Sequence, residues 1–215
     1  MARRGTKVGL PEAAAGNETR SMVRRSSLVA LMAVLLLTGT ASAATASVSM
    51  VNYGFNPKNQ TVALGNSVVW RNVSTRKHTA TPKYGWYWSQ VTVRPGATSS
   101  PITLTQAGTF PYHCAIHPTK MKGKITVPMG VSPSSGTTAT WFTLTLGTVQ
   151  APGVEVHDVY IRLNGGAWTL RAATAAPTFT LFFTAPGTWE VHTRLRYQLG
   201  GATSGWSPVV AIPVS

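Results

Sequence analysis

The sequence predicts an all-β protein, and three observations carry the prediction. Short runs of alternating apolar and polar residues recur along the chain, and Gly, Pro, Asn and Ser separate them. No helical periodicity extends beyond the N-terminal stretch. At 215 residues the chain has room for one large or two small domains.

The N-terminal stretch is set apart from the fold. Arg24-Arg25 supply a basic start, Leu28 to Leu37 an apolar run, and Ala41-Ser42-Ala43 the small-x-small pattern of a signal-peptidase site. Residues 1–43 are therefore expected to be a signal peptide cleaved after Ala43, with the residues before Met22 an over-extended start. The expected location is the periplasm or the extracellular surface. The alternative is an uncleaved anchor, since Ser27 to Ser49 carries no charge. Contact with a membrane is expected only in that case. No cysteine follows the apolar run closely, which excludes lipid attachment there.

Residues 44–128 read as the first domain. Thr61 to Leu64 and Ser67 to Trp70 are expected strands on either side of the turn Gly65-Asn66. Ile102 to Leu104, Thr109 to Tyr112 and Lys124 to Val127 complete this expected sandwich. Residues 129–138, rich in Pro, Ser, Gly and Thr, read as a linker. Residues 139–215 form the second domain, with strands expected over Trp141–Leu146, Val156–Leu163, Thr178–Phe183 and Trp189–Tyr197. Asn164-Gly165 is a hairpin turn, because both of its central residues must take positive φ.

The chemistry concentrates around the single cysteine. Cys114 is followed by His117 and Met121, and His78 lies 36 residues upstream. A free thiol outside the cytoplasm is liable to oxidise or to pair, and metal ligation protects it. A thiolate, two imidazoles and a weak thioether suit copper in a trigonal site. Such a site fits neither oxidation state fully, so little rearranges when an electron moves. His113 adjoins Cys114 and points the other way in extended chain, so it is not a ligand. His157 and His192 lack soft partners nearby and read as structural or exposed histidines.

The region resembles the cupredoxins of the plastocyanin, amicyanin and halocyanin type. The matching residues are Phe55-Asn56-Pro57, Gly65 to Trp70, His78-Thr79-Ala80-Thr81, Gly108 to Pro118 and Met121 to Val127. The resemblance implies a Greek-key sandwich holding one type 1 copper on His78, Cys114, His117 and Met121. It also implies that His117 passes the electron at the surface and that Thr79 ties the two ligand-bearing segments together. Three residues separate His117 from Met121, where the family commonly places two or four. The C-terminal region resembles a fibronectin type III or immunoglobulin-like module through Val191 to Tyr197 and Ser204 to Pro208; that fold supplies no function by itself, and a spacer or docking role is the default expectation.

Charge limits the partners. The chain carries a formal +14, and residues 44–127 contain nine Lys and Arg but no Asp or Glu. That balance favours an acidic redox protein, with an anionic cell-wall polymer as a second candidate. Nucleic acid is not expected, since no binding motif is present. Enzymatic chemistry is not expected either. A multicopper oxidase needs His-x-His pairs, which are absent, and the sole aspartate, Asp158, falls in a predicted strand of the second domain. The sequence therefore reads as an exported one-electron copper carrier. A non-redox copper carrier or a surface adhesion module is the alternative.

Overall fold

The computed structural model describes residues 44–215, so the expected signal peptide lies outside the described residues. The described residues form one compact unit. Within the described residues the regular structure is entirely β, and no helix there is long and apolar enough to cross a membrane.

The first sandwich is built from β1 (Thr45–Val51), β2 (Gly54–Asn56), β3 (Asn59–Thr61), β4 (Ser67–Asn72), β5 (His78–Pro82), β6 (Val91–Val93), β7 (Ile102–Thr103), β8 (Gly108–His113) and β9 (Lys122–Val127). One sheet runs β2-β1-β4-β7 and the other β3-β9-β8-β5-β6. Alternation explains how they close on each other. In β8, Gly108, Phe110 and Tyr112 are buried while Thr109, Pro111 and His113 face outward. The inner faces meet in a core that includes Val48, Met50, Val68, Trp70, Phe110 and Ile125. Cys114 and Met121 belong to the same buried cluster.

The turn at Gly65-Asn66 connects strands of different sheets. Gly65 takes φ 83°, and β3 then pairs with β9 while β4 pairs in parallel with β1. The run read as a strand over Thr61–Leu64 begins earlier, at Asn59, and ends at Thr61.

The second sandwich comprises β10 (Gly130–Ser132), β11 (Phe142–Thr145), β12 (Glu155–Leu163), β13 (Thr169–Thr174), β14 (Thr178–Leu181), β15 (Gly187–Tyr197) and β16 (Val210–Val214). Its sheets run β10-β11-β14 and β13-β12-β15-β16. Phe142, Leu144, Leu181, Phe183, Val191 and Ile212 fill its core. Asn164 (φ 49°) and Gly165 (φ 72°) join β12 to β13 as the hairpin requires.

The segment expected as a linker is corrected here. Gly130–Ser132 of residues 129–138 is a strand paired with β11. Met129 is buried in the second core, and Val131 packs against it. Composition misled because Pro133, Ser134, Ser135 and Gly136 dominate the stretch, whereas Met129 and Val131 supply the apolar surface that anchors it.

The two sandwiches meet along β8. Thr109 and Gly205 exchange both backbone hydrogen bonds, at 2.9 and 2.7 Å, and Thr109 Oγ1 donates to the Trp206 carbonyl at 2.7 Å. Ala107 N–H donates to Leu146 O at 2.8 Å, and Ala107 packs in the second core. The buried Gln106 bridges further, with Oε1 2.9 Å from His157 Nε2 and Nε2 donating to the Val149 carbonyl at 3.1 Å. The aromatic run Tyr84 to Trp88 also serves this junction. Trp88 is buried in the first core, and the Tyr87 hydroxyl donates to Thr203 O at 3.3 Å.

Burial at the junction makes stability depend on pH. Desolvation lowers the pKa of His157 from 6.5 to about 4, despite the opposing charge of Asp158. Between these values the unfolded chain binds the proton and the folded chain does not. Stability is therefore full above pH 6.5 and falls as the solution is acidified. By linkage the loss from His157 is about 2 kcal/mol at pH 5. His192 is lowered to about 4 by its own burial and by Arg162 and Arg194, and it acts in the same direction. Urea denaturation at pH 7 and pH 5 measures the loss, and His157→Gln should flatten the difference by its share.

Candidate metal centre

The site forms where two segments converge. His78 opens β5, and Cys114 follows the last residue of β8. Each lies at a strand end facing the core, and both are fully buried. His117 sits on the loop between β8 and β9 with its ring partly exposed.

Three donors converge. Cys114 Sγ lies 3.7 Å from His78 Nδ1 and 3.7 Å from His117 Nδ1. All three donor atoms fall within 4.8 Å of one another. Metal bonds of about 2.0–2.3 Å to nitrogen and thiolate, spread in a plane at 120°, would set such N···S pairs at about 3.7 Å. The spacing therefore suits one metal ion bound by all three donors, and the donors are those that favour copper.

Met121 closes the loop. It is fully buried, its carbonyl accepts from Cys114 N–H at 2.9 Å, and its N–H donates to His117 O at 3.0 Å. His117 N–H donates to Cys114 O at 3.0 Å. These three backbone bonds fix the ligand loop with three residues between His117 and Met121.

The surroundings orient the donors. Thr79 N–H points at Cys114 Sγ at 3.3 Å, a polarising contact for a thiolate. Thr79 Oγ1 accepts from Ala115 N–H at 2.7 Å, so this residue joins the two ligand segments as the resemblance implied. Burial lowers the pKa of His78, helped by His117 and Arg76, which favours the neutral imidazole that a metal binds. Its Nε2 is buried without a hydrogen-bond partner, so packing holds that side of the ring.

Two features were missed in the sequence. Asn72 is fully buried and holds the loop that delivers His78. Its Nδ2 donates to Arg76 O at 2.7 Å and to Val93 O at 2.9 Å, and its Oδ1 accepts from Ser74 N–H and Oγ. An Asn followed two residues later by Ser, just before a ligand, is the available signal. Tyr53 is the second. It adopts φ 61° and presents its ring edge-on to His117 at 5.0 Å, with Lys120 Nζ 5.4 Å from its centroid. Nothing in the sequence placed this residue beside the metal loop.

The other histidines stand apart. His113 faces outward from β8, His157 lies at the junction, and His192 is stacked between Trp168 at 3.8 Å and Trp206 at 4.0 Å.

Among known families, one matches the N-terminal part of the chain, including the first sandwich and its clustered donors. Residues 26–127 match the family described as Cupredoxin-like domain. Among solved structures, a reduced amicyanin variant is 23% identical with a TM-score of 0.35, covering 41% of this chain and 86% of its own. An oxidized amicyanin variant is 25% identical with a TM-score of 0.35 over the same shares, 41% and 86%. A purple cupredoxin from Nitrosopumilus maritimus is 20% identical with a TM-score of 0.33, covering 38% of this chain and 98% of its own. No curated protein matches the chain.

Proposed function

We propose that this chain is an exported mononuclear blue copper protein that carries single electrons between redox partners. The observation that carries the reading is the equal 3.7 Å separation of Cys114 Sγ from the two Nδ1 atoms. His78, Cys114 and His117 would hold the ion, with Met121, buried on the same loop, as a weak fourth donor. Copper would supply the one-electron couple. The buried His78 and Cys114 exclude water and resist rearrangement, which keeps the cost of each transfer low. The partly exposed His117 ring provides the route to the surface, and Lys120 and Arg76 beside Tyr53 give that surface its positive rim. An acidic protein is the expected partner. The three- and four-stranded sheets of the second sandwich support its reading as a fibronectin type III-like spacer.

The test is titration of the purified mature protein with Cu(II), followed by optical absorption and EPR. One equivalent should bind and give an intense band near roughly 600 nm. A protein that stays colourless and retains only Cu(I) would be a carrier without electron-transfer function. Met121→Gln tests the axial donor. It should retain the ion and lower the reduction potential, because a harder oxygen favours Cu(II). Voltammetry reads the change, and an unchanged potential would remove Met121 from the site. Mass spectrometry of the secreted protein, with Ala44 expected as its first residue, tests export.

A further inference from the structure

The outer face of β5, β8 and β9 carries an arrangement that folding alone does not favour. His113 stands opposite Lys122 across the β8–β9 pair, and Pro111 stands opposite Lys124. Lys83, just past β5, donates its N–H to Pro111 O at 2.9 Å, and its Nζ rests 4.9 Å from the Tyr84 ring centroid. Three ammonium groups and an imidazole thus share two adjacent rows of one sheet face. Like charges gathered across strands are destabilising.

The described chain offers them no counter-charge. Its three side-chain carboxylates, Glu155, Asp158 and Glu190, all lie in the second sandwich. Glu155 is buried there, Asp158 is paired with Arg194 and Arg196, and Glu190 is paired with Arg162. The face is also concave. Lys83, His113, Pro118 and Lys122 wall an open groove of about 380 Å³ that reaches the residue after His117.

We propose that this groove docks an acidic segment of a protein partner, whose carboxylates sit between Lys83 and Lys122 beside the metal loop. Charge complementarity selects the occupant, since clustered cations with no carboxylate partner among the described residues favour clustered anions. A single small anion would neutralise one lysine, whereas a run of carboxylates spans both rows. That the partner is a redox protein rests on the copper reading. The groove itself does not.

The test is a blocked peptide of consecutive glutamates titrated into the full chain, with and without copper, at low salt. The peptide should bind both forms alike and shift the amide resonances of His113, Lys122 and Gly123. Lys83→Glu/Lys122→Glu should weaken binding about tenfold or more. Arg71→Glu/Arg94→Glu carries the same charge change on exposed residues outside the groove and should weaken it less than about threefold. Lys83→Gln/Lys122→Gln should fall between them, which guards against a folding effect of charge reversal. Equal weakening by both charge-reversed proteins would overturn the proposal in favour of net attraction. Displacement of the peptide by equimolar inorganic phosphate, or stronger binding to vesicles of anionic lipid than to the peptide, would overturn it as well. A protein that binds the peptide but no copper would retain the groove and lose the redox reading.

Discussion

Cys114→Ser should abolish the band near roughly 600 nm and the voltammetric wave while leaving the fold intact. The band requires a sulfur–copper bond, and a serine hydroxyl stays protonated where a thiolate forms. Copper affinity should fall by more than about 100-fold, because loss of an orienting contact alone costs 10- to 100-fold. The fold should survive because the two side chains are close in size and the hydroxyl can accept the Thr79 N–H now aimed at Sγ at 3.3 Å. Isothermal titration with Cu(II) and thermal melting of the metal-free protein separate the two effects. Retention of an intense band in this variant would refute the assignment of the donor set.

Asn72→Ala should give the largest loss of stability near the site, about 3 kcal/mol. The substitution leaves Ser74 N–H and the Arg76 and Val93 carbonyls without the amide that now satisfies them, and an unsatisfied buried group costs about 1–3 kcal/mol. The released segment leads directly into His78, so the ring should lose its fixed placement. Urea denaturation of the metal-free protein reads the first effect. Copper affinity, expected to fall about 10- to 100-fold, reads the second. A variant that melts normally and binds normally would show that β4 and β5 hold His78 unaided.

The donor set was legible because its residue types are chemically restrictive. A lone thiol three residues before an imidazole has few structural uses, and the structure brings both together with His78. Strand existence was legible from period-two patterning, as in Thr109–Tyr112. What escaped depended on distance in the fold. Gln106 and His157 form one bridge across 51 residues of sequence, and neither alone looks unusual. Tyr53 meets His117 across 64 residues of sequence, from a backbone position of positive φ that its residue type does not announce. β10 was hidden because its pairing with β11, and not its own composition, makes it a strand.

The reciprocal bonds between Thr109 and Gly205 have a mechanical corollary. Two modules joined only by a tether would each tumble freely, and an attachment gripping one would leave the other's heading undefined. Here the backbone of one module is stitched to the edge of the other, on the strand that leads into Cys114. Whatever grips the C-terminal module therefore also aims the ligand loop, and the bearing of the metal end is set by the anchorage.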